Sequence, residues 1–205
     1  MKISIVTACF RKDNMPRVWK SIKTQIHTDW EWVLVNDNQE GIREWWNEFK
    51  KIEDYIENKH RIHFVDIQFD KGRFGLFSRN VGAMLANYKH VVFLDDDNEW
   101  EPNHLQSLIQ LKEKTGKHPY CWMRIIGKKE GSKVDRIKET AFIRQHIDLG
   151  CLLWERKWFD IYGGFRDDSQ VSFDWNHMAR ICFGEGPHKF VSTRLPSLIF
   201  HHKRY

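Results

Sequence analysis

The alternation of two hydrophobic periods over the first 110 residues constrains the fold of this chain more than any other feature. Short β-branched runs, typical of buried strands, alternate with longer stretches whose apolar residues recur at helical spacing. Strands are predicted at residues 2–7, 31–37, 61–67 and 90–94, and helices at 11–26, 41–58, 77–88 and after Pro102. This order predicts an α/β fold in which helices cover both faces of a mostly parallel sheet.

The second half of the chain is less regular. It predicts a strand at 119–127, a hairpin turn at 128–133, one or two strands within 140–154 and a short helix ending near Gly163 and Gly164. A helix at 174–183 and a last strand or tail at 197–205 follow. Without a linker or a repeat, the 205 residues are expected to form a single domain, with halves at 1–110 and 111–205.

Three polar clusters follow predicted strands, at Thr7–Arg11, Asn36–Asn38 and Asp95–Asn98. Ligands of parallel α/β sheets bind outside the carboxyl ends of the strands, where these clusters are expected to meet. The stretch "VVFLDDDNEW" places three aspartates in a row, and such like charges need a positive partner. Carboxylate oxygens are the ligands that Mg²⁺ and Mn²⁺ prefer.

Three further roles for the aspartate run fit the sequence less well. A calcium loop starting at Asp95 needs Gly and Glu where Trp100 and Gln106 stand. A phosphatase with an Asp-x-Asp strand end needs Thr or Val where Glu99 stands. An acidic helix cap accounts for one aspartate but hardly for three.

Five stretches, in order, resemble the motifs of GT-A glycosyltransferases of family 2. "ISIVTACFRKD" is similar to the family's "vSiitp-yN", and "EWVLVNDNQE" to "E-i-i-vDDgS". "LFSRNVGAML" is similar to "aRN-g", "HVVFLDDDNEW" to "yi-flDsDD", and "IYGGFRDD" to "vGGFde". The resemblance implies a GT-A fold, a Rossmann-like three-layer αβα sandwich. Its acceptor-side half contains a small antiparallel element, and its first half (1–110) binds a nucleotide sugar.

The resemblance also implies roles in donor binding. Thr7 and Asp37 would hold the nucleobase, and Asp37 would accept from a uracil ring N–H, so UDP is the expected nucleotide. Asn36 stands where many members have Asp, which makes the base less certain. Arg79 would meet the diphosphate or brace the aspartates, with a purely structural salt bridge as the alternative.

For the acids, the resemblance implies Asp97 as the ligand of Mn²⁺ or Mg²⁺. Asp95 and Asp96 would approach the ribose and the water shell of the metal. Related enzymes use a late His as a further ligand, so His201 or His202 is expected to bind the metal, unless the pair is simply exposed.

An inverting transfer needs a carboxylate that takes the proton of the acceptor hydroxyl. Family members often carry Glu-Asp about ten residues after "GGF", where this chain has Phe173 and Asp174. Asp174 is the predicted base, with Asp167 or Asp168 as second choice and a plain helix cap as the alternative.

Trp100 and Trp175 are predicted to bind the acceptor because aromatic faces pack on sugars, although a core position would explain them equally. The Gln-x-x-Arg-Trp segment of processive synthases does not follow the predicted base, so one sugar is expected to be transferred per event. The acceptor class stays open between a glycan, a lipid-linked intermediate and another hydroxyl compound.

The charge of the chain bears on its partners. A net charge of +5 favours anionic ligands, but basic and acidic residues are interleaved, which argues against nucleic-acid binding. Lys71 and Arg73, in the loop "FDKGRFG", could reach phosphate or be solvated loop charges. Two alternatives to a glycosyltransferase stay open. One is a sugar-1-phosphate nucleotidyltransferase, which usually has a Gly-rich loop after the first strand, and the other is a non-catalytic nucleotide-, glycan- or nucleic-acid-binding module.

Cysteine usage and hydropathy bear on location. The four cysteines are widely spaced, which favours reduced core residues over disulfides or a zinc site. The first residues do not predict a signal peptide, and no run of the sequence is long and apolar enough to predict a membrane-spanning helix. A cytoplasmic protein is therefore expected, compatible with peripheral membrane contact.

Overall fold

The computed structural model describes residues 1–68, 75–129, 132–141, 147–167 and 173–202, and only the backbone of residues 128, 129, 132, 173, 174 and 202. The strands are β1 (Ile3–Cys9), β2 (Trp30–Asp37), β3 (Ile62–Ile67), β4 (His90–Phe93), β5 (Asn98–Trp100), β6 (His118–Tyr120), β7 (Met123–Lys129), β8 (Ser132–Lys138), β9 (Trp154–Glu155), β10 (Phe190–Ser192) and β11 (Leu198–His202). The α-helices are α1 (Met15–Lys23), α2 (Glu40–Phe49), α3 (Glu53–Asn58), α4 (Leu76–Leu85), α5 (His104–Thr115), α6 (Lys157–Ile161) and α7 (Phe173–Glu185).

A five-stranded sheet in the order β3-β2-β1-β4-β9 forms the centre of the fold. Its first four strands are parallel, as the sequence predicts, and only the short edge strand β9 runs antiparallel. Helix α4 packs so closely on one face that a Cβ on Gly82 would lie 2.3 Å from Val6 Cγ1. On the other face, Trp19 of α1 stacks on Trp32 of β2 at 5.6 Å between ring centroids. Helices on both faces give the predicted three layers.

The single helix predicted at 41–58 is wrong, because the structure has two helices, α2 and α3, with an extended Ile52 between them. Tyr55 packs on the rings of Trp46 and Phe49 at 5.2 and 5.5 Å, while Ile52 is 43% exposed. The acidic first turn of α3 favours a new helix start there. The break between α2 and α3 allows the Tyr55 ring to pack against the core, while the aliphatic side chain of Ile52 stays exposed.

A second sheet, in the order β5-β11-β7-β8, lies beside the end of β4. The predicted hairpin is confirmed, because β7 and β8 pair antiparallel up to Lys129 and Ser132. The strand predicted at 119–127 is split into β6 and β7 because its backbone changes partners: Cys121 N bonds to Cys151 O, and Trp122 N bonds to Leu195 O. The last strand, β11, pairs antiparallel with β5 and parallel with β7.

All four cysteines are free, as expected for reduced residues. Within the described residues, no helix combines the length and apolar character that crossing a bilayer requires.

Candidate active site

The polar clusters after β1 and β4 meet through Asp96. Its Oδ2 atom accepts hydrogen bonds from the backbone amides of Phe10 and Arg11, both at 2.8 Å, and Arg11 Nη1 lies 2.6 Å from Oδ1. Asp96 is only 2% exposed, and this burial raises the pKa of its carboxyl group, which the hydrogen bonds from Phe10 and Arg11 oppose. Asp96, which follows β4, therefore connects the end of β4 to the residues that follow β1.

The rim of the parallel sheet is formed by the carboxyl ends of β1, β2 and β4 and the residues that follow them. Asp97 lies at the open side of this rim. Its Oδ2 atom is 2.9 Å from the same Nη1 of Arg11, and its backbone carbonyl accepts from Arg17 Nη2 at 3.1 Å. The side chain of Asp97 is 25% exposed, compared with 3% for Asp96. Of these two adjacent aspartates, Asp97 is the one that a ligand can approach.

Asp95 is held from α4. Arg79 is 7% exposed and contacts Asp95 Oδ1 through Nη2 and through Nε, the latter at 3.0 Å. This contact with Asp95 fits both the predicted bracing of the aspartates and the alternative of a structural salt bridge. The contact of Arg79 with a diphosphate stays a prediction.

The second sheet adds two further groups to the rim. The pairing of β11 with β5 brings His201 Nε2 to 2.5 Å from Glu99 Oε1, and Arg17 Nε lies 3.5 Å from the same oxygen. The His201 and Glu99 side chains are 21% and 25% exposed. His202 follows in the same strand, but its side chain lies outside the described part of the chain.

The donor set has the right chemistry for a hard divalent cation, since it offers carboxylate oxygens and an imidazole. Among the described side chains, however, no three Cys, His, Asp or Glu residues gather closely enough to hold a metal ion by themselves. Mg²⁺ typically takes one or two carboxylates and completes its shell with substrate phosphates and water. Asp97, which Arg17 links to Glu99 and through Glu99 to His201, fits a metal held in that shared way and does not form an all-protein cage.

The end of β2 forms the neighbouring part of the rim, where Asp37 is 1% exposed. Asn36 donates from Nδ2 to Asp66 Oδ1 at 2.8 Å and accepts from Gln39 N at 3.0 Å, so it shapes the turn into α2. The Arg43 guanidinium, with help from Asn36, lowers the pKa of Asp66. A second carboxylate in place of Asn36 would repel Asp66, which gives a physical reason for the departure from the family pattern.

Two predicted ligand-binding residues lie below the surface. The Thr7 hydroxyl is fully buried and accepts from Trp32 Nε1 at 2.9 Å. Trp100 is 3% exposed and stacks on His104 at 4.5 Å between ring centroids. In this structure neither side chain presents a face to a nucleobase or a sugar, because each is packed into the core.

The loop that contains Gly163 and Gly164, called the glycine loop below, is hydrogen-bonded to Asn80 of α4. The Asn80 side chain accepts from Phe165 N at 2.8 Å and donates to Phe165 O at 2.9 Å. A Cβ on Gly164 would lie 2.3 Å from Asn80 Oδ1, so only glycine fits there without displacing the amide. From the other side, Arg180 of α7 donates to Gly164 O at 2.7 Å. These contacts couple α7 to the helix that braces Asp95.

The predicted base, Asp174, is the second residue of α7, and its side chain lies outside the described part. Trp175 follows it and is partly buried against the core. Asp167 is exposed in the preceding loop. Asp168, Lys71 and Arg73 fall on residues that the structure does not describe.

Sequence reasoning gave no individual role to Arg11, Glu99 or Asn80. Arg11 and Asn80 stand inside stretches already recognised as motifs, so their positions could be read from the sequence but their partners could not. Glu99 belongs to the acidic run, and its pairing with His201 depends on the return of β11 from the far end of the chain.

Comparison with known proteins defines the class. The sequence profile of glycosyl transferase family 2 matches residues 4–184, and the chain belongs to this family. It is similar to the putative colanic acid biosynthesis glycosyl transferase WcaA of Escherichia coli (strain K12), with 26% identity over 52% of this chain and 36% of the relative. It is also similar to the uncharacterized glycosyltransferase R139 of Acanthamoeba polyphaga mimivirus, with 32% identity over 53% of this chain and 49% of the relative. The chain thus spans between about a third and a half of these relatives.

Solved structures support the fold. Crystal structures of S. aureus TarS 1-349 match with TM-scores of 0.76 and 0.77 at 14% identity, the second in complex with UDP-GlcNAc. The latter match covers 100% of this chain and 60% of TarS 1-349. The likeness shows that the mostly parallel sheet described above has the GT-A fold.

Proposed function

We propose that this chain catalyses the inverting, metal-dependent transfer of a single sugar from a nucleotide diphosphate, with UDP the expected nucleotide, to a hydroxyl acceptor. The observation that most supports the proposal is the rim itself. The Asp95 and Asp97 side chains are 22% and 25% exposed near the carboxyl ends of parallel strands, whereas Asp96 is buried, and Arg79 and Arg11 hold these carboxylates in place. The complex of TarS with UDP-GlcNAc, a protein of the same fold, supports a UDP-sugar as donor.

In this proposal, different residues of the rim bind different parts of the nucleotide-sugar donor. Asp95 approaches the ribose from its position against Arg79. Asp37, at the end of β2, is 1% exposed in this structure, so its contact with the nucleobase requires the turn after β2 to move when the donor binds. Asp97, with His201 or His202, would hold a Mn²⁺ or Mg²⁺ ion, which supplies positive charge against the diphosphate leaving group. Asp96 positions these groups through its bonds to Phe10 and Arg11 and does not itself contact the donor.

Asp174 acts as general base and takes the proton of the acceptor hydroxyl while that oxygen attacks the anomeric carbon. The bond from that carbon to the nucleotide diphosphate breaks on the opposite face, so the anomeric configuration inverts. The hydrogen bonds of Arg180 and Asn80 to the glycine loop support this role, because they limit movement of α7 relative to the rim. Trp175, next to the base, contacts the acceptor, which is a glycan, a lipid-linked intermediate or another hydroxyl compound.

A hydrolysis screen tests the proposal without knowledge of the acceptor. Wild-type protein and Mn²⁺ are incubated with a panel of nucleotide sugars, and released nucleotide is measured. Turnover of at least one UDP-sugar is expected, together with loss of turnover when Mn²⁺ is chelated. No turnover of any nucleotide sugar would contradict the proposal.

The base is tested once a transfer assay exists. Asp174→Asn is expected to lower transfer about 100-fold or more while leaving UDP affinity unchanged, since a positioned base contributes about 10²–10⁴ in rate. Asp167→Asn, with the same loss of charge seven residues earlier in the exposed loop, is the matched control and is expected to keep activity. The reverse result would move the base to Asp167.

A further inference from the structure

Arg11 contacts both aspartates at the front of the rim with one nitrogen. Its Nη1 atom lies 2.6 Å from Asp96 Oδ1 and 2.9 Å from Asp97 Oδ2. One guanidinium NH₂ group thus lies between the two carboxylates and donates to both. A hard divalent cation seeks the same negatively charged oxygens, so Arg11 and a metal bound to Asp97 compete for the same place.

The two aspartates would respond differently to such competition. Asp96 is also held by the backbone amides of Phe10 and Arg11 and is almost fully buried. Asp97 is 25% exposed, and the Arg11 side chain is 40% exposed. The guanidinium can therefore swing away from Asp97 while the Arg11 amide keeps the loop attached to Asp96.

We infer that Arg11 is the counter-cation of the donor-free site, which holds Asp97 until a divalent cation arrives with the nucleotide. This inference rests on the proposed function, because the displacing ion is the metal of that function. Its consequence is coupling between metal and nucleotide. A metal ion alone must displace a tethered cation, whereas a metal ion with UDP gains phosphate oxygens as additional ligands. UDP should therefore strengthen Mn²⁺ binding, and Mn²⁺ should strengthen UDP binding by the same factor.

The test measures Mn²⁺ affinity from the electron paramagnetic resonance signal of free Mn²⁺, with and without UDP. Arg11→Gln removes the tethered cation, and Arg11→Lys restores a positive charge at that position. Lys12→Gln is the matched control, because it removes the same charge one residue later, where Lys12 pairs with the exposed Glu44 at 3.0 Å.

Without UDP, Arg11→Gln is expected to bind Mn²⁺ about tenfold more tightly than the wild type, since a neighbouring charge changes carboxylate–cation equilibria by about that factor or more. Lys12→Gln is expected to change affinity by less than about twofold, because exposed charges are screened. Arg11→Lys is expected to resemble the wild type. With UDP present, both proteins should bind Mn²⁺ more tightly, and the advantage of Arg11→Gln should remain, because Asp97 must leave Arg11 in either case. Arg11→Met, which keeps most of the aliphatic stem, repeats the test if Arg11→Gln lowers stability.

Three results would overturn the inference. An unchanged affinity in both Arg11→Gln and Arg11→Met would show that Arg11 does not compete with the metal. An equal gain in Lys12→Gln would assign the effect to net charge alone. In both cases, Mn²⁺ binding by the wild type in the presence of UDP would leave the proposed function standing. If no protein bound Mn²⁺ even with UDP, the metal dependence and this inference would both be wrong.

Discussion

Two Arg–Asp pairs with nearly equal N–O distances occupy very different surroundings in this molecule. At the rim of the parallel sheet, Arg11 lies 2.6 Å from Asp96; on the β7–β8 hairpin, Arg124 lies 2.8 Å from Asp135. The Asp96 side chain is 3% exposed, whereas that of Asp135 is 40% exposed. The comparison teaches that distance alone does not decide what an ion pair does, because water and salt screen the exposed pair.

The partners beyond each pair differ as well. Asp96 joins two loops far apart in sequence and satisfies two backbone amides in addition to the guanidinium. Asp135 joins two strands that the backbone ladder of the hairpin already connects. Removal of the first should therefore disturb the site, and removal of the second should not.

The largest effect on stability is expected for Asp96→Ala. The change leaves the amides of Phe10 and Arg11 without their acceptor, and the free energy of unfolding is expected to fall by about 2–4 kcal/mol. Urea denaturation measures this difference. Asp96→Asn keeps an oxygen acceptor and no longer buries a charge, so its loss should be smaller; an equal loss in both variants would show that the charge matters more than the hydrogen bonds.

A buried histidine provides a second prediction, one that depends on pH. His177 is fully buried, stacks on Trp154 at 5.5 Å, and burial lowers its pKa to about 3 from an ordinary value of 6.5. The unfolded chain therefore binds a proton between these values that the folded chain does not, so stability is full above about pH 6.5 and decreases as pH falls towards 3, by up to about 1.4 kcal/mol per pH unit.

His177→Leu should remove this part of the acid sensitivity. The variant is expected to lose about 2 kcal/mol less than the wild type between pH 7 and pH 5. Guanidinium denaturation at the two pH values gives the comparison. Parallel curves for both proteins would show that His177 is not neutral and buried in the folded state.

A change at the β2 rim tests the role of Asn36. Asn36→Asp replaces a donor 2.8 Å from Asp66 with a second carboxylate, and the free energy of unfolding at pH 7 should fall by about 1–2 kcal/mol. The repulsion raises the carboxyl pKa values of the folded variant, so the loss should shrink as pH falls through them. Thermal denaturation at pH 7 and pH 4 measures both, and a loss independent of pH would contradict the electrostatic cause.

The smallest effect is expected for Asp135→Asn. Because Asp135 and Arg124 are exposed and the hairpin ladder is independent of them, the melting temperature should stay within experimental error of the wild type. A clear loss of stability would remove the distinction between the two pairs.

Local and long-range features of the fold differ in how far the sequence predicts them. The strands and helices of the parallel sheet follow local hydrophobic periods, so their order could be predicted, along with the meeting of Asp96 and the loop after β1. The break between α2 and α3 could not, because it depends on Tyr55 reaching Trp46 and Phe49. Similarly, Glu99 meets His201 only because β11 returns to β5, a pairing that no local pattern records.

The candidate site residues show the same difference between what a local pattern predicts and what depends on packing. Residue type and position identified the aspartate run, but not which carboxylate is buried. Asp96 and Asp97 are neighbours of identical chemistry, and only their packing separates an anchored residue from an accessible one. Trp100 is a second example, because its residue type suggested a sugar-binding surface, whereas its indole is buried beneath the rim and stacks on His104.

The central claim is that Asp97 binds a divalent cation, and that this cation holds a nucleotide diphosphate at the rim. The most direct test is the melting temperature of wild type, Asp97→Ala and Asp135→Asn with UDP and Mn²⁺ together. Ligand at a concentration of about a hundred times its Kd should raise the melting temperature of wild type and Asp135→Asn by about 5–10 °C. In Asp97→Ala the shift should vanish; an undiminished shift in that variant, or none in the wild type, would contradict the claim.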